Sequence, residues 1–201
     1  MTVGIIDYGC GNLFSLKSSF ARIGSDSVVT SDKAELYKCD KVVLPGVGAF
    51  SEAMLKLKAV GLDRTVKELS RGTPLLGICL GMQLLFDRSF EFGECDGLGL
   101  IGGEVVRLDV AALGLKTPQM GWNGLKIEKD CPLFKYTRAG EHVYFVHSYH
   151  AVNCADSVVA TVDHGGAVTA AVARGHVFGA QFHPEKSGEV GLNILRAFTE
   201  I

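Results

Sequence analysis

The sequence predicts an α/β fold: a mixed, mostly parallel central sheet flanked by helices, of nucleophile-elbow type, with a β-rich second half. Three observations carry this. Short unbroken apolar runs alternate with amphipathic stretches as far as residue 86, the pattern of a parallel sheet covered on both faces. Short β-like segments separated by Gly-rich turns follow as far as residue 182. A Gly-x-Cys-x-Gly pentad, residues 77–81, stands where the last early strand gives way to a helix.

The elements follow in order. Val3-Gly4-Ile5-Ile6-Asp7 is a short strand ending in a carboxylate and a Gly-rich turn. Leu13, Leu16, Phe20 and Ile23 then share one helix face, with Gly24 at its end. Val28-Val29-Thr30 is the second strand, and Lys41-Val42-Val43-Leu44 is the third, stopped by Pro45-Gly46. Ala49 to Leu57 and Leu62 to Arg71 are helical and meet at Gly61, and Leu75-Leu76-Gly77-Ile78 is the fourth strand. A helix from Leu80 to Phe86 follows it. Segments near 103–108, 124–128, 142–146, 158–162, 167–173 and 177–182 are β-like, and Asp163-His164-Gly165-Gly166 and Arg174-Gly175-His176 between them carry a hairpin signature. A last helix has Ser187 as its N-cap and buries Val190, Ile194, Leu195 and Phe198. No linker or repeat divides the chain, so residues 1–201 are expected to form one domain.

Composition narrows the function classes. The chain has 201 residues and a net charge of −2, with 47% hydrophobic and 21% charged residues, which excludes a disordered chain. Basic residues neither dominate nor cluster, so nucleic acid is not an expected partner. No apolar run approaches the roughly 20 residues of a membrane helix, and Met1 to Asp7 lacks the features of a signal peptide. The 6 cysteines include no CxxC pair, which favours a reduced, cytoplasmic setting. No His/Cys/carboxylate spacing matches a metal-ligand set, and neither metal nor cofactor is expected. The conspicuous excess is glycine, 25 residues, which asks for tight turns and close backbone approaches.

Cys79 on the pentad turn would project beyond the sheet edge, where open α/β sheets bind ligands. Gly77 and Gly81 would let strand and helix approach, and the Leu80 amide would face the same space from a helix N-terminus, which favours developing negative charge. The competing reading is a buried free cysteine acting as a small hydrophobe. A nucleophilic thiol needs a base, and His183 in Gln181-Phe182-His183-Pro184-Glu185 lies just past the last strand. In an extended segment His183 and Glu185 share a face, giving base and orienter. The competing reading is an exposed turn with a solvated carboxylate. Pro45-Gly46-Val47-Gly48-Ala49-Phe50 leaves strand three with two glycines around Val47, so its peptide is free to turn an N–H toward a ligand. The amides of Val47 and Leu80 form the natural oxyanion pair.

Gly77-Ile78-Cys79-Leu80-Gly81-Met82-Gln83 and Phe182-His183-Pro184-Glu185 resemble the signature of the class I, triad-type glutamine amidotransferases. Asp7-Tyr8-Gly9-Cys10-Gly11-Asn12, residues 45–50, Met120-Gly121-Trp122-Asn123 and Val146-His147-Ser148-Tyr149 narrow the resemblance to the glutaminase subunits of imidazole glycerol phosphate synthase. The resemblance spans nearly the whole chain. It implies that Cys79 attacks the glutamine side-chain amide, that His183 shuttles protons and that Glu185 orients it. It implies substrate contacts from Gly48, Gln83, His147, Ser148 and Tyr149. The implied partner is a (β/α)8-barrel cyclase subunit, joined in a heterodimer, that receives the ammonia and makes imidazole glycerol phosphate and aminoimidazole carboxamide ribotide in histidine biosynthesis. Asn12, Met120, Trp122 and Lys186 fall in motifs resembling the docking face, with residues 120–123 expected in a loop.

Gln119 departs from the histidine that many relatives carry before Met-Gly-Trp, so an imidazole role at that position is not carried over. Two alternatives stand beside this reading. One is another class I glutaminase, such as a pyridoxal phosphate synthase subunit or a γ-glutamyl hydrolase, disfavoured by Pro-Gly-Val-Gly and Met-Gly-Trp-Asn. The other is a non-catalytic α/β interaction module, disfavoured by the intact Cys79, His183 and Glu185.

Overall fold

The computed structural model describes residues 1–201. The first half alternates as expected: β1 (Thr2–Ile6), α1 (Leu13–Arg22), β2 (Asp26–Thr30), α2 (Lys33–Leu36), β3 (Lys41–Leu44), α3 (Phe50–Ala59), α4 (Leu62–Leu69), β4 (Leu75–Ile78) and α5 (Leu80–Gln83). Short strands then dominate: β5 (Arg88–Ser89), β6 (Cys95–Asp96), β7 (Glu104–Arg107), β8 (Gln119–Gly124), β9 (Lys126–Ile127), β10 (His142–His147) and β11 (Tyr149–Val152). The chain ends with β12 (Val158–Asp163), β13 (Ala167–Arg174), β14 (Val177–Ala180) and α6 (Gly188–Thr199).

One sheet of 8 strands, ordered β2-β1-β3-β4-β14-β13-β12-β9, organises the molecule. Its β2-β1-β3-β4-β14 half is parallel, and β13, β12 and β9 continue it antiparallel. Both expected hairpins are present, β12 to β13 and β13 to β14. The period of two along each strand decides which layer a side chain joins. On β3, Val43 packs with Leu16 and Phe20 of α1 and Ile194, Leu195 and Phe198 of α6. Its neighbours Val42 and Leu44 pack on the other face with Leu57 of α3 and Leu62 and Val66 of α4. Each such fully buried side chain contributes about 1.5–3 kcal/mol. No helix is long and apolar enough to cross a membrane.

Several expectations are corrected. The α5 helix stops at Gln83, not Phe86, because Leu85 and Phe86 bond three residues back to Met82 and Gln83 and tighten the chain into a turn. The α2 turn carried an unused signal, since the Asp32 side chain caps the Ala34 amide at 2.8 Å. Met120 to Asn123 form a strand, not a loop, paired in register with β10 from Gln119↔His147 to Gly124↔His142. The expected strand 124–128 divides into the end of β8 and the short β9. The last strand ends at Ala180, and Val190 is only half-buried. Ser187 precedes α6 but does not cap it: its hydroxyl donates to the His183 carbonyl at 2.6 Å and accepts from the Tyr144 amide at 2.9 Å. That pair of bonds ties the segment after β14 to β10.

Candidate active site

The parallel pairing of β4 with β14 sets Gly77 opposite Gly179 and Ile78 opposite Ala180, so both strands end together at one sheet edge. Cys79 begins where β4 stops, and its amide donates to the Ala180 carbonyl at 2.7 Å. Its backbone sits at φ 54, ψ −113, the left-handed side of the map where a non-glycine residue is strained. The turn is held by close packing. A Cβ on Gly77 would lie 2.7 Å from the Gly81 carbonyl oxygen, and one on Gly81 would lie 1.9 Å from that of Leu44. The two glycines of the pentad are therefore what lets the helix sit against β4 and β3, as expected. Leu80, the first residue of α5, has no intrahelical acceptor for its amide.

His183 is 3% exposed in its side chain and Glu185 1%. The His183 Nδ1–H donates to Glu185 Oε1 at 2.8 Å, and the ring lines the same cleft as Cys79. The backbone reason differs from the one expected. His183 is extended, but Pro184–Lys186 form a 3₁₀ turn, and that turn brings the carboxylate back to the ring. The His183 amide donates to the Tyr144 carbonyl at 2.9 Å, which fixes the histidine from β10.

Burial works against charge on His183. The neighbouring Cys79 sulfur and the hydrogen-bonded Glu185 carboxylate outweigh it and lift its pKa to about 9. His183 thus holds its proton at neutral pH. The folded value lies above the ordinary one near 6.5, so the stability it contributes is full below about pH 6.5 and is lost as pH rises through about 9. Wild type minus His183→Gln, compared by melting temperature from pH 6 to 10, is expected to show that loss. A constant difference across the range would overturn it.

A cleft of about 350 Å³ opens beside these groups. The structure brings Val47, Gly48, Cys79, Leu80, Gln83, His147, Ser148, Tyr149, His183 and Lys186 together in its wall. Gly48, at φ +99, has open space where a side chain would be, so it leaves the loop free on its cleft side. The Gln83 amide is tied down: its Nε2 donates to the Tyr149 carbonyl at 2.9 Å and to Gln181 Oε1 at 3.0 Å. His147 is buried, and its Nδ1–H donates to the Tyr149 carbonyl at 2.9 Å. Desolvation pulls its pKa down to about 4, so this ring is neutral at neutral pH and braces the turn between β10 and β11.

Asn12, Met120 and Trp122 lie outside the cleft. Met120 and Trp122 are 65% and 53% exposed, on the outward face of β8. Trp122 stands edge-on to Tyr144 with ring centroids 6.0 Å apart, and Lys186 Nζ lies 5.8 Å from the centre of the Tyr144 ring. Since Lys186 also lines the cleft, this aromatic face and the cleft share a border. Gln119 is buried behind it, its side-chain amide donating to Asn123 Oδ1 at 3.1 Å, a structural position.

Two polar groups around the site were not foreseen. Glu91 lines the cleft and its Oε2 accepts from the Phe50 amide at 2.7 Å, so one carboxylate serves the cleft and the first turn of α3. Gln181 is fully buried, and its Nε2 donates to Cys79 Sγ at 3.8 Å. The signal for Gln181 was present, since it stands two residues before His183 and alternation puts both on one face. Nothing local marked Glu91.

A thiol, a paired imidazole and a free amide stand together at one strand edge, and the chain belongs to the class I glutamine amidotransferases, whose family pattern matches residues 4–200. The fold is shared with solved structures: one titled as a glutamine amidotransferase superposes with TM-score 0.75 at 21% identity, covering 98% of this chain and 97% of that one. PurLQS from Thermotoga maritima superposes at 0.73, also at 21%, covering 99% and 97%. Within the class the chain groups with the HisH subunits of imidazole glycerol phosphate synthase. That of Bacillus cereus (strain ATCC 14579) is 52% identical over 198 residues, 98% of this chain and 93% of its own. Those of Bacillus thuringiensis (strain Al Hakam) and Bacillus anthracis are 48% and 47% identical over the same shares.

Proposed function

We propose that this chain is the glutaminase subunit of imidazole glycerol phosphate synthase, hydrolysing glutamine to glutamate and ammonia and passing the ammonia to a (β/α)8-barrel cyclase subunit. The observation that carries it is Cys79 and His183 lining one cleft, with His183 hydrogen-bonded to Glu185, in a chain 52% identical to a HisH subunit.

The chemistry follows from the geometry. As the Cys79 sulfur attacks the side-chain amide carbon, the proton between it and the imidazole is held by His183. The carbonyl oxygen gains negative charge, which the amides of Val47 and Leu80 receive. As the C–N bond breaks, His183 gives its proton to the leaving nitrogen, ammonia departs and a γ-glutamyl thioester remains. Neutral His183 then takes a proton from water, the resulting hydroxide attacks the thioester carbon, and glutamate leaves with the sulfur restored. Glu185 holds the ring so that its other edge faces the sulfur. Ser148, Tyr149, Gly48 and Gln83 position the substrate, His147 holds their turn, and the Glu91 carboxylate matches an α-ammonium group.

Asn12, Met120, Trp122 and Lys186 serve as the docking face in a cytoplasmic heterodimer. The exposed aromatic and methionine side chains are of the kind enriched in interface centres. The shared border of face and cleft gives ammonia a short exit. The Gly-flanked Val47 peptide can stand with its N–H toward or away from the cleft, and docking selects the first. The test is a glutaminase assay of the purified chain with and without the barrel subunit and its ligand. Turnover is expected to be low alone and to rise in the complex. Full activity of the isolated chain would refute the docking control, and none in either state would refute the glutaminase.

A further inference from the structure

We infer that the Tyr8 hydroxyl is a positioning residue for the oxyanion loop, holding the Pro45–Gly46 peptide still so that the Val47 peptide alone changes orientation. This rests on the glutaminase function proposed above.

β1 and β3 are parallel neighbours, so the segments that follow them, residues 7–12 and 45–48, leave the sheet side by side. Tyr8 is 5% exposed and packs among the apolar side chains below the loop. Its hydroxyl donates to the Pro45 carbonyl at 2.8 Å. No backbone hydrogen bond holds the amides of Gly46, Val47 or Gly48. The Tyr8 hydroxyl therefore makes the one hydrogen bond onto residues 45–48.

The position of that bond decides what it controls. Pro45 has a fixed φ, and with its carbonyl held, the Pro45–Gly46 peptide plane is set. Gly46 lies under it with no spare room: a Cβ there would be 2.7 Å from the Gly81 amide nitrogen, 2.9 Å from Leu80 Cβ and 3.0 Å from the Tyr8 hydroxyl. The peptide is thus clamped between the phenol and the first turn of α5, the turn that carries the Leu80 amide. The next peptide, Gly46–Val47, is free, and Gly48 opens the loop on its far side. A rotation about Gly46 ψ and Val47 φ turns the Val47 N–H while the fixed peptide keeps its distance to Leu80. Burial holds the phenol in its protonated, donating form across the working pH range.

The hydroxyl touches neither substrate nor the reacting atoms, so its loss should be felt in the transition state and not in binding. Tyr8→Phe keeps the ring in the core and deletes the donor. In the complex with the barrel subunit and its ligand, kcat for glutamine hydrolysis is expected to fall about tenfold, a fraction of the 10²–10³ that loss of a whole oxyanion donor costs. KM for glutamine stays within about twofold. Alkylation of Cys79 by iodoacetamide, which builds no oxyanion, proceeds at the wild-type rate. An unchanged kcat would overturn the inference, and so would alkylation falling in step with kcat, because the hydroxyl would then act through the thiol or the fold. Wild type run in parallel separates the two levels. Absence of wild-type turnover overturns the glutaminase reading and this one with it, whereas an active wild type beside an equally active Tyr8→Phe overturns this one alone.

Discussion

Cys79→Ala is expected to abolish glutamine hydrolysis while leaving synthesis from added ammonia intact in the complex. In the proposed mechanism the sulfur forms the thioester, and removing the nucleophile of a comparable triad costs on the order of a million in kcat. The residue lies at the cleft, 7% exposed, in a turn held by its two glycines and not by its side chain, so the substitution spares the fold. Ammonia supplied in solution bypasses Cys79 entirely. Retained ammonia-dependent synthesis therefore reports an intact complex, and lost glutamine-dependent synthesis reports the missing nucleophile. Glutaminase that survives the change would sink the assignment of Cys79, and loss of both activities would show a docking role in its place.

Gly81→Ala carries the second large effect, by a different route. Its added methyl would meet the Leu44 carbonyl oxygen at 1.9 Å and the carbonyl carbons of Leu44 and Pro45 at 2.8 and 3.1 Å. All are backbone atoms, so no rotamer change relieves the contact, and α5 must move off β3. Overpacking of this kind costs about 3 kcal/mol, or roughly 10 °C in melting temperature for a chain of this size. The movement also separates the Leu80 amide from the Val47 loop, so kcat should fall beyond what stability explains, by about a hundredfold if one oxyanion donor is lost. Gly72→Ala is the control, because nothing lies within 4 Å of its Cβ position. If Gly81→Ala melts and turns over like wild type, the close packing at the elbow is not what holds the site.

The parallel half of the sheet was legible in the sequence because its strands are continuous apolar runs ending in turn residues, each read locally. The meeting of Cys79 and His183 at one cleft was legible for the same reason: each follows such a run, beside glycines or a proline that limit the backbone. The same local logic failed at Met120 to Asn123, where Gly121 and Asn123 suggested a loop and pairing with β10 overrode them. It failed again for Glu91, whose place at the cleft is set by the fold of the short strands around it. For Glu185 the pairing with His183 is present but the expected reason is not, since a 3₁₀ turn does the work expected of strand alternation.

The sheet order has a consequence for how the molecule is born. β14 is the last strand made, yet it lies at the centre, between β4 and β13. Gln181, which bonds the Cys79 sulfur, comes 102 residues after it in the chain. During synthesis the buried run Leu75–Ile78 therefore waits with one edge unpaired, a surface that invites association with other chains. Closing it is a long-range contact and hence slow. The sulfur and the imidazole meet only at that closing step, so by the proposed mechanism a nascent or truncated chain lacking residues 177–185 releases no ammonia before it is able to pass it on.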